Sequence, residues 1–158
     1  DTTGLTIVAK HALAGGILGN AVAKRAIHRT YYAVCSGCTP AYMRISAPIA
    51  RKDASTIERC VDFKRGENAV TDFIRIKYNP DNNLSLVKLR LLTGRTHQIR
   101  VHMKYIGFPL IGDFLYNPDY TYISRQALHS GRLVFTHPVT GQKMNLISDI
   151  PSDMKSLF

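Results

Sequence analysis

Between Arg95 and Lys104 the chain reads RTHQIRVHMK, which sets three cations (Arg95, Arg100, Lys104), two histidines (His97, His102) and Gln98 close together, with no acid before Asp113. Residues of these types can grip phosphate, orient a carboxylate, pass protons or bind a metal. Metal binding fits poorly. A zinc helix places two histidines at i and i+4 and usually adds a carboxylate, whereas His97 and His102 are five apart with no third ligand near. An RNase-like acid and base pair would need the two imidazoles together, yet this spacing puts them on different faces of a helix. The residue types alone therefore favour a basic, solvated helix that binds phosphate. Arg100 stands apart from that reading. It follows Ile99 on an amphipathic pattern, and an arginine at the edge of a core needs a bonded carboxylate. No acid stands close to it in sequence, so the partner is expected from elsewhere in the fold. An arginine that orients a catalytic aspartate and keeps it ionised fits this position.

The elements that must position these residues follow from periodicity. Ile99, Met103 and Ile106 recur at i, i+4 and i+7, which predicts a helix over 96–106, closed by Gly107 and Pro109. His97, Arg100 and Lys104 form a second stripe on it. Asn68–Tyr78 and Leu84–Leu92 alternate as strands around the turn sequence NPDNN, a hairpin. Further strands are expected at Gly4–Lys10 (short and buried), Thr30–Cys35, Arg44–Ala50, Leu128–Arg132, Leu133–His137 and Lys143–Ile147. A helix is expected over His11–Ala26, with Leu13, Ile17 and Val22 at helical spacing and Gly15, Gly16 and Gly19 weakening it. Mostly strand with two helices predicts one α+β domain over residues 1–158, a mixed, largely antiparallel sheet with flanking helices.

Composition narrows the partner. The net charge is +10, and residues 2–52 hold seven Lys or Arg and no acid, as residues 82–112 hold five and none. A basic face of this kind suits a polyanion, nucleic acid before membrane, although a basic enzyme unrelated to nucleic acid has the same charge balance. No apolar run approaches the ~20 residues that cross a bilayer. Cys35, Cys38 and Cys60 are an odd set, read as free thiols in a reducing cytoplasm, with a redox pair at Cys35-Ser-Gly-Cys38 as the alternative.

The segment LLTGRTHQIRVHMKYIGFPLIGDFLY resembles the signature of RluA-type pseudouridine synthases, L-x-T-G-R-T-H-Q-I-R-x-H-x-x-x-x-G-x-P-x-x-G-D-x-x-Y, and meets it from Thr93 through Gly112, Asp113 and Tyr116. Arg29-Thr30-Tyr31-Tyr32-Ala33 is similar to the family's basic-x-Tyr-x-Ala strand. Leu128-His129 with Leu133-x-Phe135-x-His137-Pro138 is similar to LHA-x-x-L-x-F-x-HP, with Ser130 in place of alanine, and DIPSDMK resembles the closing segment. The resemblance thus covers essentially the whole chain.

That resemblance implies an enzyme that isomerises uridine to pseudouridine in structured RNA without cofactor or metal, by detaching, turning and rejoining the base through carbon. Ribosomal RNA of the large subunit is the implied substrate, with tRNA also open, in a cytoplasmic monomer. Asp1-Thr2-Thr3-Gly4-Leu5 resembles the tail of the R-L-D-x-x-T-S-G-L motif. In that register the nucleophilic Asp falls two residues before Asp1, so the 158 residues are expected to be an N-terminally incomplete, inactive catalytic domain. A shifted register would make Asp1 the nucleophile. Carried over, Arg100 pairs with the nucleophile and Tyr31 stacks on the flipped uracil, its hydroxyl assisting proton transfer. Leu128 walls the pocket, and Arg95, His97 and Lys104 position phosphate and loop. Gln98 and His102 are expected as structural bonds, and Asp113 receives no chemical role. Tyr31 as a strand aromatic and Leu128 as plain core are the bland readings. An RNA-binding fragment or paralogue without catalysis is the alternative function.

Overall fold

The computed structural model describes residues 2–158; Asp1, and with it the question of its own role, lies outside them. The strands are β1 (Thr3–Gly4), β2 (His28–Ser36), β3 (Tyr42–Ser46), β4 (Ile49–Arg51), β5 (Arg59–Val61), β6 (Val70–Asn79), β7 (Leu84–Leu91), β8 (Leu128–Thr136) and β9 (Lys143–Ile147). The helices are α1 (Ala12–Ala23), α2 (Gln98–Tyr105) and α3 (Ser152–Lys155). One sheet of seven strands runs β1-β8-β2-β7-β6-β3, with β9 also on β8, and β4 and β5 form a second, small sheet. Among the described residues only the β1–β8 pairing is parallel, so the expected mixed, largely antiparallel α+β fold is what forms.

The hairpin of β6 and β7 forms where alternation and turn chemistry agree. Asn79 closes an Asx turn on the Asp81 amide (3.1 Å), and Asn83 takes a positive φ of 53°. The inner face of β2, β6 and β7 offers Ala33, Cys35, Phe73, Val87 and Leu89 to Ile99 and Met103 of α2, and this is the main core. Helix α2 ends as expected. The Gly107 residue is left-handed (φ 86°), and the Phe108 amide donates back to the Met103 carbonyl at 2.9 Å, closing the last turn.

Several expectations need correction. Leu5 to Lys10 is not a strand: only Thr3–Gly4 pairs, and Val8 is 78% exposed, because the segment runs along the sheet edge with only Leu5 and Ile7 tucked in. In α1 the residues whose helical spacing marked the helix, Leu13, Ile17 and Val22, face solvent, while Ala14 and Leu18 are buried. Arg44–Ala50 is two strands, broken at Ala47-Pro48 where the chain leaves one sheet for the other. Leu128–His137 is one strand rather than two, and a third helix, α3, closes the chain, burying Met154. Along β8 the pairing to β2 steps from Arg132↔Thr30 to Ser130↔Tyr31, which leaves Gly131 without a partner on β2, a β-bulge.

Candidate active site

Both faces of α2 are fixed by polar residues that the fold buries. Gln98 is 2% exposed and has every bonding position used. Its Oε1 accepts from the Thr93 hydroxyl (2.8 Å) and the Arg95 amide (3.0 Å), and its Nε2 donates to the Val70 carbonyl and the Thr71 hydroxyl (both 3.0 Å). His102 spans from the Thr71 hydroxyl to the Ala47 carbonyl, 2.9 Å each. These two residues tie the helix to β6 and to the β3–β4 corner, as structural bonds. Burial pushes the His102 imidazole below its ordinary pKa.

Arg100 finds its carboxylate thirteen residues downstream. Its Nε and Nη2 donate to the two oxygens of Asp113 at 2.7 and 2.6 Å, a bidentate pair in which Arg100 is 5% exposed and Asp113 fully buried. Asp113 is held in turn by the amides of Leu115 and Tyr116, both 3.1 Å. The charge problem posed by the acid-free motif is therefore solved inside the motif by Asp113, a residue to which sequence reasoning gave no role. Nη1 of Arg100 has no hydrogen-bond acceptor among the described residues. The guanidinium carbon lies 5.2 Å from the Phe114 ring centre and 4.9 Å from that of Tyr116, so the planar group is gripped by rings as well as by the carboxylate.

Tyr116 is the second residue that the sequence reading left without a role, although it closes the matched signature. The stripe His97, Arg100 and Lys104 converges on it. Its hydroxyl accepts from the Arg59 amide (2.9 Å) and lies 3.0 Å from Nδ1 of His97, and Lys104 Nζ stands 5.6 Å from its ring centre. Burial, and then the charges of Arg100 and Arg59, hold His97 below the ordinary histidine pKa. A neutral His97 that takes the Tyr116 proton at Nδ1 carries its own proton on Nε2, a tautomer assigned from this network. His97 also adopts a left-handed backbone (φ 57°), a cost that a non-glycine residue meets only where surroundings hold it.

A cavity of about 830 Å3 opens between α2, β2, the start of β8 and the N-terminal segment. Arg100, Tyr31, Leu128, Arg95 and His97 all line it, so five of the six site residues expected from the sequence share one space. Lys104 does not; it lines a neighbouring cavity. Tyr31 reaches the cavity from β2 opposite the bulge, and burial raises its phenol above the usual pKa, which keeps the hydroxyl protonated. Arg95 lies at the rim, donating to the Asn68 carbonyl (3.1 Å) and paired with Glu67, whose side chain is largely exposed. Such a surface pair is worth little, so a phosphate can exchange for Glu67. Gln126 and Ser130 also line the cavity, and each carries a buried oxygen (Oε1, Oγ) without a partner among the described residues. Nothing in the residue pattern marked Gln126; Ser130 stood out only as the departure from alanine.

The thiols take no part. Cys35, Cys38 and Cys60 are free, Cys35 is buried with its pKa pushed up by that burial, and Cys38 contacts Arg75 instead (2.7 Å).

Residues 1–105 match the family described as RNA pseudouridylate synthase. This chain belongs to that family. Among similar family members is the uncharacterized RNA pseudouridine synthase YjbO of Bacillus subtilis, 46% identical over 160 residues, covering 100% of this chain and 55% of that protein. Ribosomal large subunit pseudouridine synthase D of Zymomonas mobilis is 38% identical over 168 residues, covering 100% of this chain and 52% of that protein. The chain thus spans about half the length of the relatives it matches. Human RNA Pseudouridylate Synthase Domain Containing 1 superposes with a TM-score of 0.77 at 25% identity, over 90% of this chain and 62% of that one.

Proposed function

We propose that residues 1–158 belong to a single catalytic domain that, together with residues upstream of Asp1, isomerises uridine to pseudouridine in structured RNA, with large-subunit ribosomal RNA as the substrate class. The observation that carries this reading is the meeting of Arg100, Tyr31, Leu128, Arg95 and His97 around one cavity beside the Thr2–Thr6 segment. The 38% identity to a protein named ribosomal large subunit pseudouridine synthase D supports the substrate class. In this reading a uridine is unstacked and turned into the cavity. Tyr31 stacks on the base and offers a protonated hydroxyl, and Leu128 forms the apolar wall. The nucleophile is an aspartate two residues ahead of Asp1 in the motif register. The adjoining segment is well placed to carry it: the Leu5 amide donates to the Ser130 carbonyl (2.9 Å), and Gln126 Nε2 donates to the Thr2 hydroxyl (2.9 Å). Arg100 then acts as a positioning and charge-stabilising group. Asp113 fixes its plane, and the remaining Nη1 is free to hold the nucleophilic carboxylate and favour its ionised form. Arg95, His97 and Lys104 engage the RNA backbone and the loop around the target. The setting is cytoplasmic, the protein monomeric, and no helix among the described residues is long and apolar enough to cross a membrane.

The test adds the chain, and a version extended upstream through Arg-Leu-Asp, to RNA lacking the modification, and measures pseudouridine directly. The extended chain is expected to form it and the 158-residue chain is not. Activity of the unextended chain that disappears in Asp1→Ala would instead make Asp1 the nucleophile. RNA binding by both versions with no product from either would favour the RNA-binding reading without catalysis. Binding itself is expected to weaken as salt rises, with log K changing by about −0.7 to −0.9 per phosphate contact against log salt.

A further inference from the structure

A second cavity, about 510 Å3, lies between the β4–β5 sheet and the outer side of α2. Its walls combine aromatic faces with unpaired positive charge. Phe63 is 70% exposed and Tyr105 53%, and Tyr116 forms the inner wall. Of its three cations, Lys52 is neutralised by Glu58 at 2.9 Å. Among the described residues the Arg59 guanidinium bonds only to the backbone carbonyls of Ile57 (3.1 Å) and Glu58 (3.4 Å), and Lys104 has no carboxylate partner. Large exposed rings are costly to leave in water, and here they stand beside Arg59 and Lys104, while the one acid of the lining, Glu58, is taken by Lys52.

The two cavities are joined through one side chain. Tyr116 bonds His97, which lines the first, and lies under Lys104, which lines the second. The walls of the two cavities are therefore in direct contact.

We propose that this second cavity is a stacking site for an unpaired nucleobase of the same RNA strand, flanking the target. Phe63 and Tyr105 supply the ring faces, and Lys104 and Arg59 meet the adjoining phosphates. Aromatic rings interleaved with cations are the chemistry that holds single-stranded nucleic acid, because every base has a face to stack whatever its sequence. The charge selects RNA over a protein segment, whose apolar side chains would fill the cavity without using Arg59 or Lys104. This assignment rests on the RNA reading above and extends it to a neighbouring nucleotide.

The experiment compares two RNAs by fluorescence anisotropy with the upstream-extended chain: a uridine stem-loop with single-stranded flanks, and the same stem-loop with the flanks trimmed away. The unmodified protein is expected to bind the flanked RNA about tenfold more tightly, the order of one stacked base. Phe63→Ala combined with Tyr105→Ala should erase that difference and leave affinity for the trimmed RNA unchanged. Lys104→Gln should reduce the difference and flatten its salt dependence. Equal affinities for the two RNAs, or equal losses on both in the double variant, would overturn the stacking site while leaving the RNA reading intact. Failure to bind either RNA above a non-specific duplex would remove both. Circular dichroism of each variant checks folding, and Phe63→Tyr, which keeps the ring, should preserve the flank preference.

Discussion

Helix α1 is twelve residues long and buries two of them; α2 is eight residues long and buries six. Apart from Asn20 the longer helix is made of alanine, glycine and aliphatic residues, whereas the shorter one sets Gln98, Arg100, His102 and Lys104 among Ile99, Val101, Met103 and Tyr105. Half of what is buried on α2 is thus polar, and each polar group is bonded on more than one side: Gln98 to Thr93, Arg95, Val70 and Thr71, His102 to Thr71 and Ala47, Arg100 to both Asp113 oxygens. Helix α1 rests on the sheet through Leu18, beside Leu133 and Phe135, and leaves Leu13, Ile17 and Val22 in water. Apolar content gives a helix something to bury, but directional bonds decide how firmly and in which orientation it is held. A helix that must aim an arginine within a fraction of an ångström needs the second kind of anchor.

The contrast can be broken most forcefully at Asp113. Asp113→Ala leaves the Arg100 charge buried and unpaired and is expected to cost about 3–5 kcal/mol in chemical denaturation. Replacing both partners with apolar residues, Arg100→Met with Asp113→Leu, should recover most of that stability while pseudouridine formation by the extended chain stays lost. Recovery of activity together with stability would mean that the pair serves the fold alone.

Acid should separate the two helices next. His97 and His102 have folded pKa values lowered beneath 6.5, so as pH falls below that value the unfolded chain takes up protons before the folded one does. Their contribution is complete above about pH 6.5 and is lost as pH drops through the lowered folded values. Denaturation midpoints followed from about pH 7.5 to about pH 5 should fall, and His102→Gln should flatten the decline. An unchanged slope in that variant would place the acid sensitivity elsewhere.

The smallest effect belongs to α1. Leu13→Ser, Ile17→Ser and Val22→Ser should each change stability by no more than about 0.5 kcal/mol in the isolated chain, as surface substitutions do. A loss several times larger would show that this face is covered in solution.

Which features could be read from the residues follows from the range of the forces that make them. The 79–83 turn and the 96–106 helix were legible because their signals, Asx chemistry, periodicity and a glycine cap, act over a few residues. The Leu13, Ile17 and Val22 stripe has the right spacing too, but which side of a helix meets the sheet is settled by Leu133 and Phe135, more than a hundred residues away. Gly4–Lys10 has strand composition without a partner along its length, since β8 offers only Thr3 and Gly4 a paired neighbour. At the cavity, Arg100 stood out as a cation on an amphipathic pattern with no acid close by in sequence, whereas Tyr31 and Leu128 were marked only through the family resemblance. Asp113 was hidden for a different reason: it lies thirteen positions beyond Arg100, with the left-handed turns at Gly107 (φ 86°) and Gly112 (φ 66°) between them. Its signal was present all the same, as the first acid after a thirty-one-residue stretch without one.

The unpaired Gly131 acts as a half-period phase shift in β8. In a regular strand, residues 128, 130, 132 and 134 would share one side and 129, 131, 133 and 135 the other. Because Gly131 is skipped, Ser130 stands opposite Tyr31 and Leu133 opposite Arg29, and both of those β2 residues lie on one side of their own strand. One continuous strand thereby sends Leu128 and Ser130 into the cavity and then turns Leu133 and Phe135 towards Leu18 on that same side. A side chain at 131 would strike the Tyr32 ring, whose nearest carbon lies 2.6 Å from where a Cβ would stand, so glycine keeps the shift in place. Were Gly131 paired with β2 instead of skipped, Leu133 and Phe135 would fall on the side opposite Leu128 and Ser130, and the strand could then line the cavity or seat α1, but not both.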